Sequence, residues 1–173
     1  EVQVSGFDQG IFFDGPGTTK ALIFYPGAKV STEAYAPLMY QLAQKGVDCF
    51  LVDMPFHMAF FGINRAEKIL ENYQYDSWYL GGHSLGGAMA ASFAAGHTDE
   101  LDGLLLLASY TTKDLSQSDL LVVTIYGSED GVLNRKSLEK GRALLPANSI
   151  EKCLEGGNHG QFGSYGDQKG DGK

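Results

Sequence analysis

Short apolar runs alternate along the chain with stretches whose apolar residues recur every three or four positions. The runs "ALIFYP" (21–26), "VDCFLVD" (47–53), "WYLGG" (78–82), "LDGLLLLAS" (101–109), "LLVVTIYG" (120–127) and "SIEKCLE" (149–155) predict strands, and "GIFFDG" (10–15) predicts a further edge strand. The middle four are nearly continuous, as in strands covered on both faces. Between them, helices are expected over 33–45, 65–73, 84–96 and 135–145. Ser31 or Thr32, Asn64 and Asn134 stand at cap positions, while Gly46 and Pro146 act as stops. Pro37 falls in the first turns of the first helix, so an irregular or displaced start is expected there. The alternation predicts an α/β fold, a mostly parallel sheet with helices on both faces. In such a sheet ligands bind beyond the carboxyl ends of the strands, which directs attention to the turns after 26, 53, 82, 109, 127 and 155.

Composition adds limits. A length of 173 residues suits one domain over 1–173, with 166–173 expected to form a flexible tail. The chain is 43% hydrophobic and 20% charged, which fits a folded globular chain. Its formal net charge is −8 and its basic residues are scattered, so nucleic acid is not an expected partner. No apolar run is long enough to span a bilayer, and no signal or transit pattern is read at the start. The compartment stays open: cytoplasmic, or extracytoplasmic after removal of a signal. Cys49 and Cys153 lie in apolar runs without metal-ligand spacing and are expected as reduced, buried thiols. No metal or cofactor is expected, and oligomeric state is not readable.

The chemistry concentrates in "YLGGHSLGGAM" (79–89), where an apolar strand becomes a small-residue helix. Gly82-His83-Ser84-Leu85-Gly86 is G-x-S-x-G, a nucleophile elbow. A serine on so tight a turn needs neighbours without bulk, which Gly82 and Gly86 supply. A serine hydroxyl attacks only when a base takes its proton. Of four histidines, His159 follows the last strand in the glycine-rich segment "EGGNHGQFGSYG" (155–166), at the ligand-binding edge. His83 is expected to pack locally, His97 to lie at the surface and His57 to line a pocket. In "YGSEDGV" (126–132), Asp130 stands three residues beyond Gly127 at a strand end, where a carboxylate can orient an imidazole; Glu129 reads as solvated. The expected triad is Ser84, Asp130 and His159, in the chain order found on strand-helix scaffolds of this kind.

These motifs resemble the α/β-hydrolases over about 20–162. The dienelactone-hydrolase-like branch, α/β-hydrolase family 5, is the most similar. "FYPGAKVSTEAYAPLMYQLAQKG" (24–46) is similar to its third-strand turn and first helix, and "GGHSLGG", "GSEDG" and "GGNHGQFG" resemble its nucleophile, acid and histidine segments. Dienelactone hydrolases proper use a cysteine where this chain has Ser84, so their lactone substrate does not carry over. An oxyanion hole is expected from two backbone N–H groups. One is that of Leu85; the other belongs to Ala28 or Lys29, in the turn that replaces the HGGG-type run of lipases.

Only ten residues, "YTTKDLSQSD" (110–119), separate two strands where related folds carry a lid. The expected site is therefore shallow, walled by Phe56, His57, Phe60, Tyr110 and Phe162. It suits small or short-chain esters cleaved through an acyl-enzyme. An acyltransferase or peptidase with the same triad is one alternative, and a catalytically silent binding protein is another.

Overall fold

The strands of the computed structural model, which describes residues 1–173, join into one eight-stranded sheet. In chain order the elements are β1 (Gln3–Phe7), β2 (Gly10–Asp14), β3 (Lys20–Tyr25), α1 (Ala36–Gln44), β4 (Val47–Val52), α2 (Ala66–Asn72), β5 (Ser77–His83), α3 (Leu85–Ala95), β6 (Gly103–Leu107), β7 (Leu121–Gly127), α4 (Arg135–Arg142) and β8 (Ser149–Leu154). The spatial order is β1-β2-β4-β3-β5-β6-β7-β8. From β4 to β8 every pairing is parallel, while β1 and β2 form an antiparallel hairpin added to β4. The sheet is therefore mostly parallel, and its carboxyl ends share one edge.

Central strands are buried on both sides because both faces carry apolar layers. On one face Ile23, Phe50, Leu80, Leu104 and Val122 pack against α2 and α3. The alanines of α3 (Ala90, Ala91, Ala94) keep that helix close to the strands, and Ile69 anchors α2. On the other face Leu22, Phe24, Cys49 and Leu51 lie with Met39 and Ala43 of α1. Each large aliphatic side chain so covered contributes about 1.5–3 kcal/mol relative to exposure. α4 rests through Leu138 on Tyr126 and Leu133.

Local signals account for most boundaries. Pro37 displaces the first helix: a single 3₁₀ turn (Thr32–Tyr35) precedes α1, which begins at Ala36 with proline in its first positions, where a missing N–H costs nothing. Asn134 caps α4 by accepting from the Ser137 amide at 3.0 Å. Asn64 does not cap α2; the chain enters that helix through a 3₁₀ turn (Ile63–Arg65), with no side-chain cap. β1 was not expected, because an edge strand exposed along nearly its whole length shows no buried face to read. Cys49 is buried, but Cys153 is exposed on β8, an edge strand exposed from end to end; the expectation of two buried thiols fails there. No helix is long and apolar enough to cross a membrane.

Candidate active site

β5 ends at His83 and α3 begins at Leu85, leaving Ser84 alone to make the turn. Its backbone takes φ 56° and ψ −124°, a region that a side chain disfavours and that persists only where the surroundings enforce it. The enforcement comes from contact on both sides of the turn. A Cβ on Gly82 would stand 2.4 Å from the carbonyl carbon of Gly86, and one on Gly86 would stand 2.2 Å from the Tyr25 oxygen. The Ser84 amide donates to the Leu107 carbonyl at 2.9 Å, and the buried Ser109 hydroxyl donates to the Ser84 carbonyl at 2.7 Å.

β7 and β8 deliver a buried carboxylate and imidazole to the same edge. Oδ2 of Asp130 lies 2.8 Å from Nδ1 of His159, both side chains being sealed from solvent. The other oxygen, Oδ1, accepts from the amides of Val132 (2.8 Å) and Leu133 (2.7 Å). Burial by itself would raise the Asp130 carboxyl. The His159 hydrogen bond and the two amides outweigh it and hold the group below the usual carboxylate range. An ionised Asp130 only accepts, so Nδ1 of His159 donates, and in the neutral imidazole the lone pair then lies on Nε2. That Nε2 is buried and has no hydrogen-bond partner. Glu129 is exposed; its amide donates to the Gly157 carbonyl.

The backbone of His159 is held from both sides. Its amide donates to Oδ1 of Asp171 at 2.9 Å, and its carbonyl accepts from Nε2 of His83 at 2.8 Å. Asp171 also accepts from Gly160 (2.8 Å) and Gly131 (3.2 Å), joining the loops after β8 and β7. The segment 166–173, expected as a flexible tail, thus lies back against the site. His83, expected only to pack, has both ring nitrogens engaged, with Nδ1 2.7 Å from the Tyr35 hydroxyl. Burial, and then the neighbouring His159 ring, push its imidazole down to about 4. Tyr35, Ser109 and Asp171 carried no local signal in the sequence, since each reaches the site from a distant segment.

The remaining candidates divide. The Leu85 amide opens α3 beside the serine. The Lys29 amide, one of two candidates for the second oxyanion donor, is already taken by the His57 carbonyl at 2.7 Å, on a backbone at φ 59°. The Ala28 amide makes no hydrogen bond and is the free one. Phe162 stands against His83, ring centroids 5.6 Å apart. Phe56 and His57 occupy consecutive positive-φ positions, and Phe56 is 84% exposed, projecting into solvent. Phe60 lines a surface cavity of about 1020 Å³ beside Phe7, Arg65 and Tyr73, which includes none of Ser84, Asp130 or His159. Tyr110 packs with Tyr126, Leu133 and Leu138 beneath α4. No cluster of three histidine, cysteine or acidic side chains could hold a metal ion.

Comparison with known proteins agrees with this architecture. The family described as "Alpha/beta hydrolase family" matches residues 21–173. Among solved structures, the chain is similar to TT1662 from Thermus thermophilus, with a TM-score of 0.74 at 15% identity, covering 92% of this chain and 91% of that one. It is also similar to a predicted CIB-like hydrolase from Thermoplasma acidophilum, with a TM-score of 0.70 at 15% identity, covering 92% and 89%. At that identity the two structures speak for the fold alone. No curated protein matches the chain.

Proposed function

The chain belongs to the alpha/beta hydrolase family, a hydrolase class, and from that premise we propose that it is a serine hydrolase of small carboxylic esters. The observation that carries this reading is the buried Asp130–His159 pair, which leaves His159 Nε2 as an unpartnered buried nitrogen at the edge where Ser84 turns. A general base must offer such an atom, and its hydrogen bond to the nucleophile commonly tightens only when substrate arrives.

In the proposed reaction Nε2 of His159 takes the Ser84 proton as Oγ attacks the ester carbonyl carbon. Negative charge develops on the carbonyl oxygen, where the Leu85 and Ala28 amides donate to it. Asp130 stabilises the imidazolium that forms. The intermediate collapses by breaking the bond to the alkoxy oxygen, which leaves as alcohol with the proton from Nε2. Water then repeats the sequence on the acyl-enzyme, releasing acid and restoring Ser84.

Short acyl groups fit this site best. The ten residues at 110–119 are too few for an independent lid, and Phe56 is exposed to solvent. Each methylene left uncovered forgoes up to about 0.8 kcal/mol of burial. A p-nitrophenyl ester series tests this: kcat/KM should level off near butyrate. Efficiency rising steadily to palmitate would refute the short-chain assignment.

A further inference from the structure

We infer that Tyr35 and His83 form a buried positioning relay, which ties the turn at Gly27 and Ala28 to the backbone of His159 through the end of β5. This rests on the reading of His159 as base and Ala28 as oxyanion donor. Four groups stand in line. The Gly27 amide donates to the Tyr35 oxygen at 3.0 Å, Tyr35 meets His83 Nδ1 at 2.7 Å, and His83 Nε2 meets the His159 carbonyl at 2.8 Å. Both side chains are essentially sealed from solvent.

The chemistry of the two ends gives every proton in the line one direction. An amide can only donate, so the Tyr35 oxygen accepts from Gly27 and spends its own proton on Nδ1 of His83. A carbonyl can only accept, so Nε2 of His83 carries the ring proton. One neutral tautomer satisfies all four groups. A doubly protonated ring would set Nδ1–H against the Tyr35 hydroxyl proton, and the other neutral tautomer would leave the His159 carbonyl unpaired. The contact is tight as well: a Cβ on Gly27 would lie 2.9 Å from the Tyr35 hydroxyl and 3.3 Å from His83 Nδ1. Glycine at 27 thus lets the turn approach the relay.

The relay acts on atoms one residue removed from the chemistry. The Gly27 amide precedes the free Ala28 amide, and the His159 carbonyl belongs to the residue whose ring must meet Ser84. A small displacement at either end moves an oxyanion donor or a base, and misplacement of about 1 Å can cost on the order of 100-fold in rate. Neither Tyr35 nor His83 touches substrate in this account. They are positioning residues.

The test combines kinetics with nuclear magnetic resonance on the full chain. Tyr35→Phe keeps the ring and removes the hydroxyl. At a temperature where wild type and variant are both fully folded, kcat should fall about 10–100-fold with KM nearly unchanged. His83→Gln, which retains a donor and an acceptor, should keep more activity than His83→Leu at matched folding. Wild-type kcat in Tyr35→Phe, or equal loss in Gln and Leu at position 83, would overturn the relay. In ¹⁵N-labelled wild-type protein at neutral pH, His83 should be neutral with its proton on Nε2, and Tyr35→Phe should shift the amide and ring signals of His159. A proton on Nδ1, or unmoved His159 signals, would overturn it too. The resonance arm does not depend on turnover, so a protein inactive toward esters would sink the hydrolase reading and still decide the relay.

Discussion

Asp130 and Glu129 are adjacent carboxylates in one turn, yet their surroundings differ completely. Asp130 is sealed against His159 and two backbone amides, while Glu129 faces water. Replacing Asp130 by Asn keeps the shape but removes the charge that fixes the imidazole's proton on Nδ1. If Asp130 serves as proposed, turnover of a short ester should then fall by roughly 10⁴-fold, the usual loss for a triad acid, and Glu129→Gln should change it little. The reverse ranking would transfer the role to Glu129. Position within the strand pattern made Asp130 legible from sequence, because it follows a strongly apolar run by a fixed short turn. Asp171 offered no such pattern. Its partners Gly131, His159 and Gly160 come from two other loops, and local composition cannot announce a pairing made only when the chain folds back.

At the scale of elements, the junction of β5 and α3 depends on what the neighbouring strand presents. The turn is tight because Gly86 touches the last backbone oxygens of β3 and Pro26, at 2.2 and 2.3 Å from where a Cβ would stand. Gly86→Ala forces backbone apart and should cost about 1–3 kcal/mol of stability. The same push acts on the segment leading to Gly27 and Ala28, so ester turnover should fall beyond the stability loss. Thermal melts and kinetics below the melting range would separate the two effects; an unaltered variant would show that the elbow tolerates bulk. Central strands were readable within a residue or two because burial on both faces makes them continuously apolar. β1 was not, since its register with β2 is set by hairpin pairing and its side chains face water. The segment 55–62 was legible only as aromatic. Its two positive-φ residues turn Phe56 outward and give the His57 carbonyl to Lys29, an outcome of backbone geometry that composition does not encode.

For the whole molecule, stability should depend on pH through the same buried groups. His83 titrates near 4 when folded, against about 6.5 in an unfolded chain. Between those values the unfolded state binds the extra proton, so stability is full above about pH 6.5 and declines as pH falls toward 4. The loss reaches up to about 3 kcal/mol. Asp130 and Asp171 are held below their ordinary values, so their contribution persists above about pH 4 and is lost only at lower pH. Denaturant melts from pH 8 to 4 should show the decline, and His83→Gln should flatten it; an unchanged slope in that variant would assign the decline to other groups. Every step of the proposed reaction requires Ser84 to be a nucleophile activated in the folded chain. Its most direct measurement is mass spectrometry of native protein treated with a fluorophosphonate. One adduct is expected, on Ser84, lost on prior unfolding and absent from Ser84→Ala. No adduct on folded protein, or an adduct at another residue with Ser84 untouched, would contradict it.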